Sequence, residues 1–370
     1  MRKWFRLIIL LQTFSMMVKP VFAASDGGML RTGIITQVWA IENIDDPIKE
    51  ITIPIEVVYP IRPNLTIQIN HSPASSQFGG IRMAGLSDTY IRSNYALQEN
   101  RAMLSLGIGL PTGKTELDDK ERSIASLLSY NAFKFHTPVF GQGLTISAGG
   151  MYAYPINDKL TVGAGVNYVY RGRYKYTKYL KDAYDPGDQI GANIGFDYLM
   201  LPILRSSFDV VMSYYTADKL SNTKMYVSGP KLALKLGLQY QASFGNLWLR
   251  AYYSSKSKNQ TWNDQSLVLE PQDKNYNITL RELEIGAKIP VFDRLTILIS
   301  GEGRSYVENE LNQGWVDVFG PSLGYLLQVN ERLGISMETK FFYGDGDFYG
   351  MNPLPHFSGF EFYLTSQYKL

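Results

Sequence analysis

The sequence predicts an all-β protein, a transmembrane antiparallel β-barrel of about sixteen strands, with about fourteen as the alternative. Two observations predict this fold: apolar and polar residues alternate along much of the chain, and short connections alternate with long ones. A third is that an exported chain without cysteine needs a large core or a closed hydrogen-bonded sheet. Because 36 basic residues nearly balance 34 acidic ones, no nucleic-acid partner is expected.

The N-terminus is predicted to be a secretory signal peptide, residues 1–23, that is removed on export. A basic start ending at Arg6 precedes a short apolar run, and Val21 and Ala23 supply small residues before the expected cleavage. A retained membrane helix is the alternative, but polar residues interrupt the segment before the roughly 20 apolar residues that a span needs. The barrel would then comprise residues 24–370.

The strand assignment depends on alternation. Between Leu160 and Arg171, leucine, valine, alanine and tyrosine share one face, and mostly threonine, glycine and asparagine share the other. Strands that are apolar on only one side show this pattern. Applied to the mature chain, it predicts strands at about 33–42, 50–61, 65–73, 88–97, 101–110, 143–155, 159–171, 187–199, 203–216, 225–240, 246–256, 277–289, 294–303, 315–328, 332–343 and 358–370.

The connections support a barrel more strongly than the strands do. A turn of one type recurs, as Y-P-I-R-P-N-L-T-I, Y-P-I-N-D-K-L-T-V, I-P-V-F-D-R-L-T-I and L-Q-V-N-E-R-L-G-I, which predicts tight hairpins on the periplasmic side. A secreted β-sandwich is the alternative, but it would need two domains and no linker divides the chain. Long polar loops are predicted after most odd strands, at 74–87, 111–142, 172–186, 257–276, 304–314 and 344–357.

Charged residues on the polar faces are candidates for lining the pore. Arg or Lys facing lipid at mid-depth costs about 2 to 4 kcal/mol, so these side chains must point inward. The mixture of signs predicts a polar lumen without strong ion preference, and pairing across the lumen for stability explains it equally well. The candidates are Glu56, Arg92, Arg171, Arg205, Asp209, Lys231, Lys235, Arg250, Glu282, Glu284, Lys288, Glu338 and Lys340.

The longest connection, 111–142, is predicted to contain a short amphipathic helix capped by Thr115. A loop of this length is often functional. One hypothesis is that it folds over or into the lumen and narrows it, and the alternative is a solvated external loop. The candidates for a constriction are its charged residues Glu116, Asp118, Asp119 and Arg122.

The sequence predicts no enzyme, cofactor or metal site. G-L-P-T-G-K-T at 109–115 has Ile108 where a phosphate loop needs its first glycine. No Gly-x-Ser-x-Gly elbow lies near a histidine, so the histidines are expected at the surface. The acids of D-A-Y-D-P-G-D lack the companion ligands of a calcium loop. The histidines are His71, His136 and His356, and the acids are Asp182, Asp185 and Asp188.

The final stretch, F-E-F-Y-L-T-S-Q-Y-K-L, resembles the C-terminal strand signal of bacterial outer-membrane proteins, although the last residue is Leu370 where that pattern favours Phe. The resemblance implies assembly by the barrel-assembly machinery. It also implies outer-membrane lipids and lipopolysaccharide as surroundings, in a Gram-negative bacterium.

A family resemblance extends over the central half of the chain. It is carried by D-T-Y-I-R-S-N-Y-A-L, L-G-I-G-L-P-T-G-K and Y-P-I-N-D-K-L-T-V-G-A-G-V-N-Y. These segments resemble the outer-membrane barrels grouped as "meta-pathway of phenol degradation" proteins, loosely related to the long-chain fatty-acid transporters. The resemblance implies passage of hydrophobic or aromatic compounds. The transporters' N-terminal plug is not expected here, because only residues 24–32 precede the first predicted strand.

The expected function is therefore passage or binding of small solutes by passive diffusion through an outer-membrane barrel. Two alternatives stay open. One is a structural or adhesive barrel whose lumen is blocked by side chains and loops. The other is an outer-membrane lipase or protease.

Overall fold

The computed structural model describes residues 27–97, 101–263, 266–347 and 355–370. The predicted signal peptide lies outside these ranges. The strands, in chain order, are β1 (Met29–Ile41), β2 (Ile48–Thr52), β3 (Ile55–Arg62), β4 (Leu65–His71), β5 (Ala74–Phe78), β6 (Ile81–Gly85), β7 (Thr89–Leu97), β8 (Ala102–Leu110), β9 (Thr145–Pro155), β10 (Leu160–Arg171), β11 (Tyr184–Asp185), β12 (Gln189–Leu201), β13 (Leu204–Tyr215), β14 (Ala217–Leu220), β15 (Thr223–Val227), β16 (Lys231–Ala242), β17 (Gly245–Lys256), β18 (Gln260–Asn263), β19 (Val268–Pro271), β20 (Thr279–Phe292), β21 (Leu295–Val307), β22 (Val316–Gln328), β23 (Leu333–Gly346) and β24 (His356–Lys369).

Most of these strands form one closed antiparallel sheet. Each pairs with its sequence neighbour, and β24 pairs with β1 along its whole length, from Met29 opposite Lys369 to Ile41 opposite Phe357. Closure leaves no unpaired edge, so the backbone polar groups of the wall are satisfied within the sheet. In the described part of the chain the barrel has 16 strands, counting β2 with β3, β4 with β5, and β6 with β7 as one each. The prediction of sixteen is confirmed.

The two faces of the wall differ as the alternation predicted. The outer face carries large apolar side chains, and Leu106, Val166 and Ile194 are each more than 60% exposed. The inner face carries the polar and charged residues. Tyr59 and Tyr154 lie exposed on the outer face next to short turns, where an aromatic girdle would place them.

The recurring turn has a simple physical basis. Between β9 and β10, the Asn157 side-chain oxygen accepts hydrogen bonds from the backbone N–H groups of Lys159 and Leu160, at 2.8 and 2.9 Å. Asn330 does the same between β22 and β23. An asparagine oxygen thus replaces a backbone acceptor within the reversal. These turns define the short-turn end of the barrel, and the opposite end is the long-loop end.

Three details of the strand prediction were wrong. The predicted strand 225–240 is two elements, β15 and β16, because Gly229 and Pro230 interrupt the alternation. The predicted loop 74–87 contains the hairpin β5–β6, which extends two barrel strands. The loops at the long-loop end also form a second sheet of short strands, whose members are β11, β14, β15, β18 and β19. Strands of two to five residues are too short to show clear alternation.

No helix in the described ranges is long and apolar enough to cross a membrane.

Candidate functional site

The connection between β8 and β9, residues 111–144, folds into the barrel and is called the inserted loop. It contains the helix α1 (Asp119–Leu128). Asp118 caps this helix: its side chain accepts the Glu121 N–H at 3.0 Å, and the Glu121 carboxylate accepts the Asp118 N–H at 3.2 Å. The predicted cap at Thr115 was therefore wrong, because Glu three residues after Asp118 completes a reciprocal capping box there.

The inserted loop packs against the inner wall through aromatic rings. Phe133 has no exposed surface, and its ring centroid lies 5.1 Å from that of Trp39 on β1 and 5.8 Å from that of Phe357 on β24. Trp39 in turn stacks on Phe342 of β23 at 5.2 Å. The apolar face of α1 is buried too, with Ile124 and Leu128 at 1% exposure or less. The loop therefore occupies the lumen on the side of β23, β24 and β1.

Polar side chains of the wall hold the backbone of the same loop. Together they satisfy main-chain groups that burial would otherwise leave without partners. Four of these contacts are Gln37 Oε1 accepting from the His136 N–H at 2.5 Å, Glu50 Oε1 accepting from the Thr137 N–H at 2.8 Å, Arg304 Nη1 donating to the Ala132 carbonyl at 2.9 Å, and the Tyr306 hydroxyl donating to the Asn131 carbonyl at 2.7 Å. The Asp88 carboxylate also accepts the N–H groups of Gly113 and Gln142, where the loop begins and ends.

The four predicted constriction residues lie at the start of α1 and not where the loop contacts the wall. Glu116 is exposed. Arg122 and Asp119 pair with each other at 2.7 Å on the helix surface. The backbone N–H of Glu121 and the ammonium of Lys178 lower the pKa of Asp118. Their role in narrowing a pore stays a prediction.

The thirteen charged residues predicted to line the pore all occupy inward-facing positions of the barrel strands, alternating with the exposed apolar ones. Most lie beside a group of opposite charge, and Lys288 lies near the short-turn end. The pairs are Glu56 with Arg31 at 2.8 Å, Arg205 with Asp197 at 2.8 Å, Arg250 with Glu284 at 3.3 Å, Glu282 with Lys134 at 2.5 Å, Lys340 with Glu338 at 3.7 Å, and Asp209 opposite Lys235 in register. Arg92 faces inward on β7, Arg171 faces inward on β10 and bonds Gln189, and Lys231 faces inward on β16 near Glu282.

The wall from β8 to β12 has a different inner face. In the middle of these strands the inward positions carry mainly glycine and short polar side chains, whereas longer inward side chains include Met103 and Met151, which lie opposite each other, and Arg171 and Gln189 at the long-loop end. The inward residues include Gly107, Gly109, Gly149, Gly163, Gly165, Gly191 and Gly195, with Ser105, Ser147, Asn167 and Asn193 among them.

The residues considered for chemistry are dispersed. His71 contacts Thr89 at 3.0 Å, and His356 pairs with Asp345. His136 was expected at the surface but lies in the inserted loop, where burial lowers its pKa to about 4. Within the described ranges no group of three or more potential ligands could hold a metal ion. The acids of the D-A-Y-D-P-G-D segment make separate contacts: Asp182 with Ser221, Asp185 with Arg173, and Asp188 with the Tyr168 hydroxyl and the Arg171 N–H.

Sequence reasoning missed the residues that anchor the inserted loop. The signal was present: Trp39, Phe342 and Phe357 are large aromatic residues at inward positions, on a face that is otherwise polar or small. An aromatic ring on the inner face near the long-loop end needs an apolar group to pack against. The two phenylalanines of the F-K-F sequence at 133–135 are suitable candidates for that group.

Comparison with known proteins agrees with this architecture. No protein-family model and no curated protein sequence matches the chain. Among solved structures, OprB of Pseudomonas putida superposes with a TM-score of 0.51 at 8% identity, covering 93% of this chain and 94% of OprB. The fold is that of an outer-membrane β-barrel. The resemblance to the phenol-degradation group stays a prediction.

Two further outer-membrane barrels superpose less well. The CymD monoaromatic hydrocarbon channel gives a TM-score of 0.43 at 10% identity, over 94% of this chain and 89% of its own. An anion-selective porin from Comamonas acidovorans gives 0.43 at 12% identity, over 93% of this chain and 98% of its own. At these values neither likeness bears on function.

Proposed function

We propose that this chain is an outer-membrane channel that passes small solutes by passive diffusion and is narrowed by its inserted loop. The observation that carries the proposal is the asymmetry of the interior. The aromatic cluster and polar anchors fasten the loop to the wall at β1, β2, β21, β23 and β24, whereas the middle of the wall from β8 to β12 is lined mainly by glycine, serine and asparagine. A solute would pass along that second wall.

A barrel of this strand number is wide enough to hold water once its interior is not filled by side chains. Polar groups line the proposed path, so small polar solutes suit it. The family resemblance adds aromatic compounds as candidate solutes. The proposal includes export with removal of the signal peptide, assembly through the C-terminal strand, and lipopolysaccharide in the surrounding membrane. Separation of membrane fractions tests the location.

The blocked-lumen barrel is the second candidate, and the burial of most apolar side chains between residues 124 and 140 favours it. Single-channel recording in planar bilayers separates the two. We expect small conductance steps from the intact protein and larger steps after residues 119–137 are replaced by a short Gly-Ser linker. The control variant lacks residues 261–270, the β18–β19 hairpin outside the barrel, and should conduct like the intact protein.

Three results would contradict the channel. Steps only after the loop is replaced would mean a blocked barrel. No steps from either protein would mean that the lumen does not conduct. Equal steps from the intact protein and the loop replacement would show that the loop does not narrow the path. The proposal assigns no catalysis, and lipase and protease assays of the purified protein in detergent test that part.

A further inference from the structure

One row of inward side chains at the long-loop end is strongly basic. Arg171 ends β10, Tyr215 ends β13, Lys231 begins β16 and Lys256 ends β17. These strands follow one another in the wall, with only β12 between β10 and β13. The four side chains therefore face the lumen at one level, on the side that adjoins the glycine-lined wall.

The geometry gathers the charges around one ring. The Arg171 guanidinium carbon and the Lys256 ammonium nitrogen each lie 5.8 Å from the centroid of the Tyr215 ring. Arg171 is also held by a hydrogen bond from Nη2 to Gln189 Oε1, at 2.7 Å. Lys231 stands directly opposite Lys256 in the β16–β17 register. Like charges directly opposite each other destabilise a sheet, so this arrangement has a cost in the empty protein.

Among the residues that the structure describes, the carboxylates near this row also contact other groups or lie deeper in the barrel. Glu282 on β20 is bound to Lys134 of the inserted loop at 2.5 Å and also lies near Lys231. Asp209 stands opposite Lys235, one layer closer to the short-turn end. Asp188 accepts the backbone N–H of Arg171 and the hydroxyl of Tyr168, whose side chain is exposed on the outer face. Counted over the described residues, three cationic side chains, Arg171, Lys231 and Lys256, stand beside two carboxylates, Glu282 and Asp188, so the row has more positive than negative charge.

We propose that Arg171, Lys231 and Lys256 form, around Tyr215, a binding subsite for small organic anions at the mouth of the channel. A carboxylate there would accept charge-assisted hydrogen bonds from the guanidinium and the ammonium groups. It would also relieve the repulsion between Lys231 and Lys256. The Tyr215 ring offers contact to the carbon skeleton of the solute. This inference rests on the proposed function and names the class of solute that the channel favours.

The first test measures ion selectivity. The intact protein and two double variants are reconstituted in planar bilayers between two KCl concentrations, and the zero-current potential gives the chloride-to-potassium permeability ratio. We expect a ratio above unity for the intact protein and a fall of about threefold for K231Q/K256Q. The matched control is K224Q/K274Q, which removes two exposed lysines from loops at the same end of the barrel. It should keep the ratio of the intact protein.

The second test measures binding without conduction. Succinate is titrated into each protein in detergent by calorimetry, after heat-modified migration on gels has confirmed folding. Heat that is lost in K231Q/K256Q and kept in K224Q/K274Q supports the subsite. The subsite is overturned if succinate gives no binding heat with the intact protein, or if both variants lose that heat equally. It is also overturned if the intact protein conducts with a chloride-to-potassium permeability ratio at or below unity. If no protein conducts but this binding pattern holds, the channel proposal fails and the anion subsite stands.

Discussion

Two walls of the same barrel use glycine for opposite purposes. On the side of β23, β24 and β1, a glycine lies under an aromatic ring, as Gly359 lies under Trp39 and Gly344 under Phe357. On the side from β8 to β12, glycines alternate with short polar residues, and most of them face backbone or short side chains instead of a ring, as at Gly163. The contrast shows that the residue type at an inward position depends on what packs against it inside the barrel. The inward side chains of one wall pack against the inserted loop, and most inward side chains of the other wall are short.

The largest effect is expected from Phe133→Ala, which would remove the ring that packs the inserted loop against the wall at β1, β23 and β24. Removing a buried phenylalanine costs about 3 to 5 kcal/mol, and here the loss falls on the docking of the inserted loop. Limited proteolysis of the protein in micelles should cut the loop much faster in the variant. Phe319→Ala is the control, because Phe319 is 60% exposed on the outer face. A loop that stays equally resistant in both variants would show that Phe133 does not hold it.

A pair of glycine substitutions sharpens the comparison directly. A Cβ at Gly359 would lie 2.6 Å from the Trp39 ring, whereas one at Gly163 would meet only the Tyr152 carbonyl oxygen, at 3.5 Å. We expect Gly359→Ala to lower the free energy of unfolding by about 1 to 3 kcal/mol through overpacking. Gly163→Ala should leave it nearly unchanged. Urea unfolding in micelles measures both, and similar losses at the two sites would contradict the difference between the walls.

A third effect, of similar size, concerns the pH dependence of the docking of the inserted loop. Because burial lowers the pKa of His136 to about 4, the undocked loop binds a proton near pH 6 that the docked loop does not. The docked state is therefore fully favoured above the ordinary pKa of about 6.5, and it loses stability as the pH falls toward 4, by about 1 to 3 kcal/mol in all. Proteolysis of the loop should accelerate over this range. His136→Gln should remove that dependence, and acceleration of the same size in the variant would assign it to another group.

The strands could be predicted from sequence, and the reason is physical. A wall between lipid and water forces period-two alternation, so Leu160 to Arg171 and the other barrel strands are visible in the residues alone. The sequence also placed every candidate charge on the inner face, since charge is excluded from lipid. The sequence could not predict which segment of the chain packs against the inner face of the barrel. The packing of Phe133 against Trp39 and Phe357 joins residues about 100 and 220 positions apart, and no local pattern encodes such a contact.

The same limit explains the choice of residues in the inserted loop. Charge drew the prediction to Glu116 and Asp118, because charged groups are the usual constriction of a pore. The structure uses Asp118 to start a helix, and it uses Phe133 and the backbone near Thr137 to meet the wall. The second sheet was missed because its strands are short and lie outside the membrane, where nothing enforces alternation.

The anchors of the inserted loop also determine the order of assembly. Trp39 and Gln37 belong to the first strand of the barrel and Phe357 to the last, and these two strands meet only when the cylinder closes. The site against which Phe133 packs is thus incomplete until the first and last strands have paired. Once seated, a segment from the middle of the sequence ties its beginning to its end across that join and resists its reopening.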